Sequence, residues 1–127
     1  MISSATTRGV ILFAHGSRDA QWRVPIESVA SAVQALEPGD LVACAYLELC
    51  SPSLAEAAGT MVEAGVRQLR VLPVFFGVGK HAREDLPVLI EGLNASHPEL
   101  VIDLLPAAGE HPLLIALLAR IALGDSS

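Results

Sequence analysis

The chain has 127 residues, enough for one domain around one core and too few for two. Hydrophobic residues make up 52% and aromatics only 4%, which implies an aliphatic interior and argues against long disordered tracts. A formal charge of -6 argues against general binding to nucleic acid or anionic lipid, since both need an extensive cationic surface.

Four short apolar runs alternate with longer helical patterns. The runs are VILFA (10–14), LVACAYL (41–47), LRVLPVFF (69–76) and VIDLL (101–105). Continuous apolarity, rather than alternation, is what a parallel strand covered on both faces requires. Between the runs, Ile26, Val29, Val33 and Leu36 form one helical stripe, and Leu54, Ala58, Met61 and Gly65 a second. Leu86, Leu89, Ile90 and Leu93 form a third, and Leu113, Leu114, Leu117, Leu118 and Ile121 a fourth. Ser51-Pro52 and His111-Pro112 suit helix starts, while Gly39, Gly65 and Gly109 suit breaks. Pro25 and Pro87 leave the starts of the first and third helices open, and Pro73 predicts an irregularity in the third strand. The pattern predicts a single α/β domain over residues 1–127, core about 9–123. Its sheet is open, parallel and four-stranded, with helices on both faces and strand order 2-1-3-4, a flavodoxin-like half.

The start MISSATTRG has no apolar signal core, and no apolar run approaches the ~20 residues that span a bilayer, so a cytoplasmic location without membrane contact is expected. Cys44 and Cys50 are too few for a disulfide framework and read as small buried hydrophobes, though a two-thiol site stays open.

Chemistry collects at two places. His15, Gly16, Ser17, Arg18 and Asp19 follow the first strand directly, and FFGVGKHARED places Lys80, His81 and Arg83 after the third. In order 2-1-3-4 these strands are neighbours about 5 Å apart, so two imidazoles can share one divalent ion across the switch crevice. Glu48 ends the second strand at the same rim, where it can ligate, face solvent or cap a helix. Imidazole with carboxylate suits Fe²⁺, Co²⁺, Ni²⁺ or Zn²⁺, and three protein ligands leave positions open for a reactant. Arg18, Lys80 and Arg83 are either solvated surface charges or a local rim for an anion. His97 suits a helix C-terminus and His111 the start of the last helix, and Ser17 and Asp19 can cap the first. A Ser-His-Asp triad is a poor fit without a G-x-S-x-G elbow.

The ordered set AHGSRD, YLELCSPSL, VLPVFFGVGKHAREDLP and GEHPLL resembles the short-form sirohydrochlorin chelatases, the CbiX and SirB type of class II chelatases, over roughly residues 9 to 123. The resemblance implies ATP-independent insertion of Co²⁺ or Fe²⁺ into sirohydrochlorin on the routes to cobalamin or siroheme, with Ni²⁺ not separable by ligand type. It implies metal ligation by His15 and His81, participation of Glu48, no prosthetic group, and a homodimer. Any of these three residues can accept a pyrrolic proton, and Arg18, Lys80, Arg83 and Ser17 are the substrate-binding candidates. This sequence has Gly79-Lys80-His81 where many relatives carry G-G-H, and Ala14 where glycine is frequent. A non-catalytic metal or tetrapyrrole carrier is the rival reading. A histidine phosphatase fits less well, because Ala14 stands where that pattern has arginine.

Overall fold

The computed structural model describes residues 7–77 and 79–124, with Lys80, His81 and Ala82 described by their backbone alone. The elements run β1 (Arg8–Ala14), α1 (Ala20–Leu36), β2 (Leu41–Tyr46), α2 (Leu54–Glu63), β3 (Gln68–Pro73), α3 (Lys80–Ser96), β4 (Val101–Leu104), a single 3-10 turn (Ala108–Glu110) and α4 (Pro112–Ala122). The strands form one parallel sheet in the order β2-β1-β3-β4, as the alternating pattern predicts. β1 pairs with β2 and β3 on its two sides, Leu12 opposite both Cys44 and Leu72.

The continuous apolarity of β1 follows from burial on both faces. Ile11 and Phe13 point into the larger core, with Leu69 and Val71 of β3, Leu54, Ala58 and Met61 of α2, and Leu86 and Leu93 of α3. Leu12 and Ala14 point the other way, against Ile26 of α1 and Tyr46. Ile11, Leu12 and Phe13 each contribute roughly 1.5–3 kcal/mol when taken from water, so β1 is anchored from both faces up to its end.

Several boundaries differ from the pattern-based expectation. β3 ends at Pro73, and residues 74–76, expected in the strand, form loop. Val71 accepts from Leu105 N–H on the β4 side and Val74 N–H donates to Phe13 on the β1 side, so Pro73 turns its missing donor toward β4. The β3–β4 ladder stops there for that reason. Ser51 is not the cap of α2; Ser53 is, in a reciprocal capping box with Glu56, and the Ser51-Pro52 peptide is cis. Glu48 therefore does not cap α2. Pro25 and Pro87 lie inside α1 and α3, which continue through them.

Two predicted stripes are not buried. On α1 only Ile26 is buried, while Leu36 is 80% exposed. α4 has no buried residue, and Leu113, Leu117 and Ile121 are exposed, because α4 leans mainly on the 3-10 turn instead of lying across the sheet. No helix among the described residues is long and apolar enough to cross a membrane.

Candidate functional site

β1 delivers the chain from full burial at Ala14 to exposure at His15 in one step. Backbone pairing continues past the strand: Leu47 N–H donates to Ala14 O at 2.9 Å and Glu48 N–H to His15 O at 3.0 Å. His15 and Glu48 are thus tied backbone to backbone at the carboxyl rim of the sheet. Gly16 then turns at φ +104°, and a Cβ there would collide with the Glu48 carbonyl oxygen and lie 3.2 Å from the Tyr46 Cβ. Only glycine combines this positive φ with so close a backbone approach.

The rest of the loop is held by its own polar groups. Asp19 caps α1 by accepting from Gln21 N–H at 2.9 Å, the capping role expected of it, whereas Ser17 does not cap the helix: its Oγ accepts from Asp19 N–H at 3.0 Å, within the loop that precedes α1. Arg23 reaches back from α1 and donates to Ser17 O at 2.9 Å. Arg18 and Glu48 are exposed on the same rim.

On the other side of β1, the β3–α3 loop is positioned by three contacts. Val74 N–H donates to Phe13 O at 2.7 Å, and Gly109 N–H to Phe75 O at 2.9 Å. Gly109 lies so close to the backbone of Phe76 that a Cβ would collide with it. Phe75 is buried and its ring lies 4.4 Å from that of His15, tilted by 44°, while Phe76 is 74% exposed. The imidazole therefore has an apolar wall on one side and solvent on the other.

α3 starts after Gly79 with Lys80, His81, Ala82 and an exposed Arg83, and has no acid in its first turn. Cations at a helix N-terminus oppose the helix dipole, so this start concentrates positive charge and unpaired N–H groups where an anion is favoured.

His15, Ser17, Arg18 and Glu48 are brought to one rim, with Arg83 on the adjoining helix start. The side chains of His81 and Lys80 lie outside the described residues, and among the described residues no three His, Cys, Asp or Glu side chains converge on one metal position. Cys44 and Cys50 are free thiols. Burial pushes the Cys44 thiol up, and its Sγ–H lies 3.7 Å from Ile26 O, which fits an unreactive packing group. His97 ends α3, and His111 opens α4 with Nδ1 accepting from Leu113 N–H at 3.1 Å. Sequence reasoning missed Phe75 and Phe76, hidden in an apolar run taken for strand. It also missed Arg23, for which spacing carries no signal, and took Gly109 for a simple break.

The CbiX family model matches residues 9–122. The sirohydrochlorin cobaltochelatase of Methanopyrus kandleri is 35% identical over 81 residues, 64% of this chain and 57% of that one. The chain thus spans less than two thirds of that relative's length. A putative cobalamin biosynthesis CbiX protein from Marinobacter aquaeolei superposes with a TM-score of 0.81 at 34% identity, covering 93% of this chain and 96% of the other. The sirohydrochlorin chelatase SirB of Bacillus subtilis subspecies spizizenii, solved with cobalt, shares the fold at a TM-score of 0.76 and 20% identity, covering 91% of this chain and 50% of SirB.

Proposed function

Because the chain belongs to the CbiX family, we propose that it inserts a divalent metal, Co²⁺ or Fe²⁺, into sirohydrochlorin without nucleotide or prosthetic group. The observation that carries this is His15: an exposed imidazole on a rigid strand end, backed by Phe75 and tied to the Glu48 segment. The Methanopyrus relative, named for this activity, supports the same reading.

In this reading His15 and His81 present neutral imidazole nitrogens to the metal, which is substrate rather than resident cofactor. The sheet order supports the pairing, since β1 and β3 are neighbours and His81 stands in the first turn of α3, the helix that follows β3. Glu48 supplies a third oxygen ligand or accepts a pyrrolic proton. Insertion replaces two pyrrolic protons by M²⁺, so two protons leave for each metal that enters. The tetrapyrrole's carboxylates pair with Arg18, Lys80 and Arg83, with Ser17 donating a hydroxyl hydrogen bond, while the exposed Phe76 ring offers its macrocycle an apolar surface. Since the chain is net negative, attraction of an anion has to come from a local cluster of cations such as this rim. We read the working unit as a homodimer in the cytoplasm, without nucleic-acid or membrane partners. The match to half of SirB supports two copies doing what one longer chain does.

An anaerobic assay offering Co²⁺, Fe²⁺ and Ni²⁺ with sirohydrochlorin, followed by its absorption change, tests the proposal. His15→Ala and His81→Ala should fold and lose insertion. Wild-type turnover in both variants would refute the assignment, and stoichiometric binding without acceleration over spontaneous insertion would make the chain a carrier.

A further inference from the structure

Three ties hold the turn between β1 and α1. Glu48 N–H donates to His15 O, Asp19 N–H donates to Ser17 Oγ, and Arg23 reaches back from α1 to donate through Nη1 to Ser17 O. The last of these needs an explanation, because helix chemistry does not favour a cation there. Arg23 lies in the first turn of α1, near the positive end of the helix dipole, and no acid stands in that turn to offset it. Arg8 and Arg70 meet the carboxylates of Asp40 and Asp103, whereas among the described residues Arg23 forms no ion pair. Its half-buried guanidinium is committed to a neutral carbonyl at 2.9 Å.

A carbonyl and the N–H that follows it share one rigid peptide plane. Holding Ser17 O therefore fixes the plane that leads into Arg18, while Asp19 is fixed by its cap on α1. Arg18 is exposed between two anchored neighbours. Its side chain swings freely, but the backbone it swings from does not.

We infer that Arg23 is a positioning residue for the tetrapyrrole. By clamping the Ser17–Arg18 peptide plane it sets the point from which Arg18 meets a substrate carboxylate. It acts on affinity for the macrocycle and not on the metal step at His15, whose own carbonyl is held from the other side by Glu48. The inference rests on the reading of Arg18 as a substrate contact and adds the residue that orients it. Arg67 supplies the control: its Nη1 likewise donates to a carbonyl, Val66 O at 2.8 Å, but just before β3 at the opposite end of the sheet.

The test measures Kd for sirohydrochlorin, anaerobically and without metal, together with insertion kinetics. Arg23→Ala should raise Kd and KM about tenfold, the effect of losing one hydrogen bond from a charged donor, with kcat within about twofold. Arg23→Lys, which keeps a cationic donor, should recover most of that loss, and Arg67→Ala should match the wild type. Because Arg23 acts through Arg18, the Arg18→Ala/Arg23→Ala double variant should bind no more weakly than Arg18→Ala. Wild-type binding by Arg23→Ala or by Arg18→Ala, losses that add in the double variant, or an equal loss in Arg67→Ala would each overturn the inference while insertion by the wild type stands. Kd is read without metal, so a wild type that binds sirohydrochlorin but inserts nothing refutes the functional reading, and the same Kd comparison still upholds or overturns the role of Arg23. A wild type that does not bind sirohydrochlorin overturns both.

Discussion

Gly16 and Gly65 form a matched pair. Both sit at positive φ, +104° and +101°, but a Cβ at Gly65 meets nothing within 4 Å, whereas one at Gly16 collides with the Glu48 carbonyl. Gly65→Ala measures conformational strain alone, about 1–2 kcal/mol for a non-glycine residue in left-handed backbone. Gly16→Ala adds the displacement of the His15–Glu48 clasp, whose backbone hydrogen bond is worth about 1 kcal/mol and cannot survive the separation. The total is about 2–4 kcal/mol. Urea titration should show both midpoints lowered, Gly16→Ala by roughly twice as much, with unchanged slopes. Activity should separate them further. A shift of ~1 Å in a reacting group can cost about 100-fold, so Gly16→Ala should lose insertion rate at least tenfold while Gly65→Ala keeps it. Equal stability and equal turnover in the two variants would refute the claim that this clasp positions His15.

Tyr46 is the chain's one tyrosine, and burial, then the neighbouring Cys44 and Glu27, push its phenol up to about 12. Its neutral form is favoured by folding, so that contribution to stability is complete below the ordinary value of about 10 and is lost as pH rises toward 12. Ultraviolet titration should find no phenolate step near pH 10 in folded protein; a step there would contradict the burial. Phe76 is about three-quarters exposed, so Phe76→Ala should leave stability within about 0.5 kcal/mol. The same variant should raise KM for sirohydrochlorin several-fold with little change in kcat, and an unchanged KM would remove Phe76 from the substrate surface.

Strand identity and sheet order were legible in the amino-acid sequence, because a strand buried on both faces must be apolar throughout and right-handed crossovers leave few arrangements. The rim position of His15 was legible for a related reason: an abrupt change from VILFA to HGSRD marks where burial ends. Asp19 and His111 followed from local capping chemistry, which depends on only a few neighbouring residues. What needed tertiary structure was everything set by approach between distant backbones. Gly16 against Glu48, Gly109 against Phe76 and Phe75 against His15 join segments 30 to 60 residues apart, and no local pattern encodes such distances. The apolar stripe of α4 likewise reads as a buried face, and only the coordinates show Leu113, Leu117 and Ile121 exposed on it.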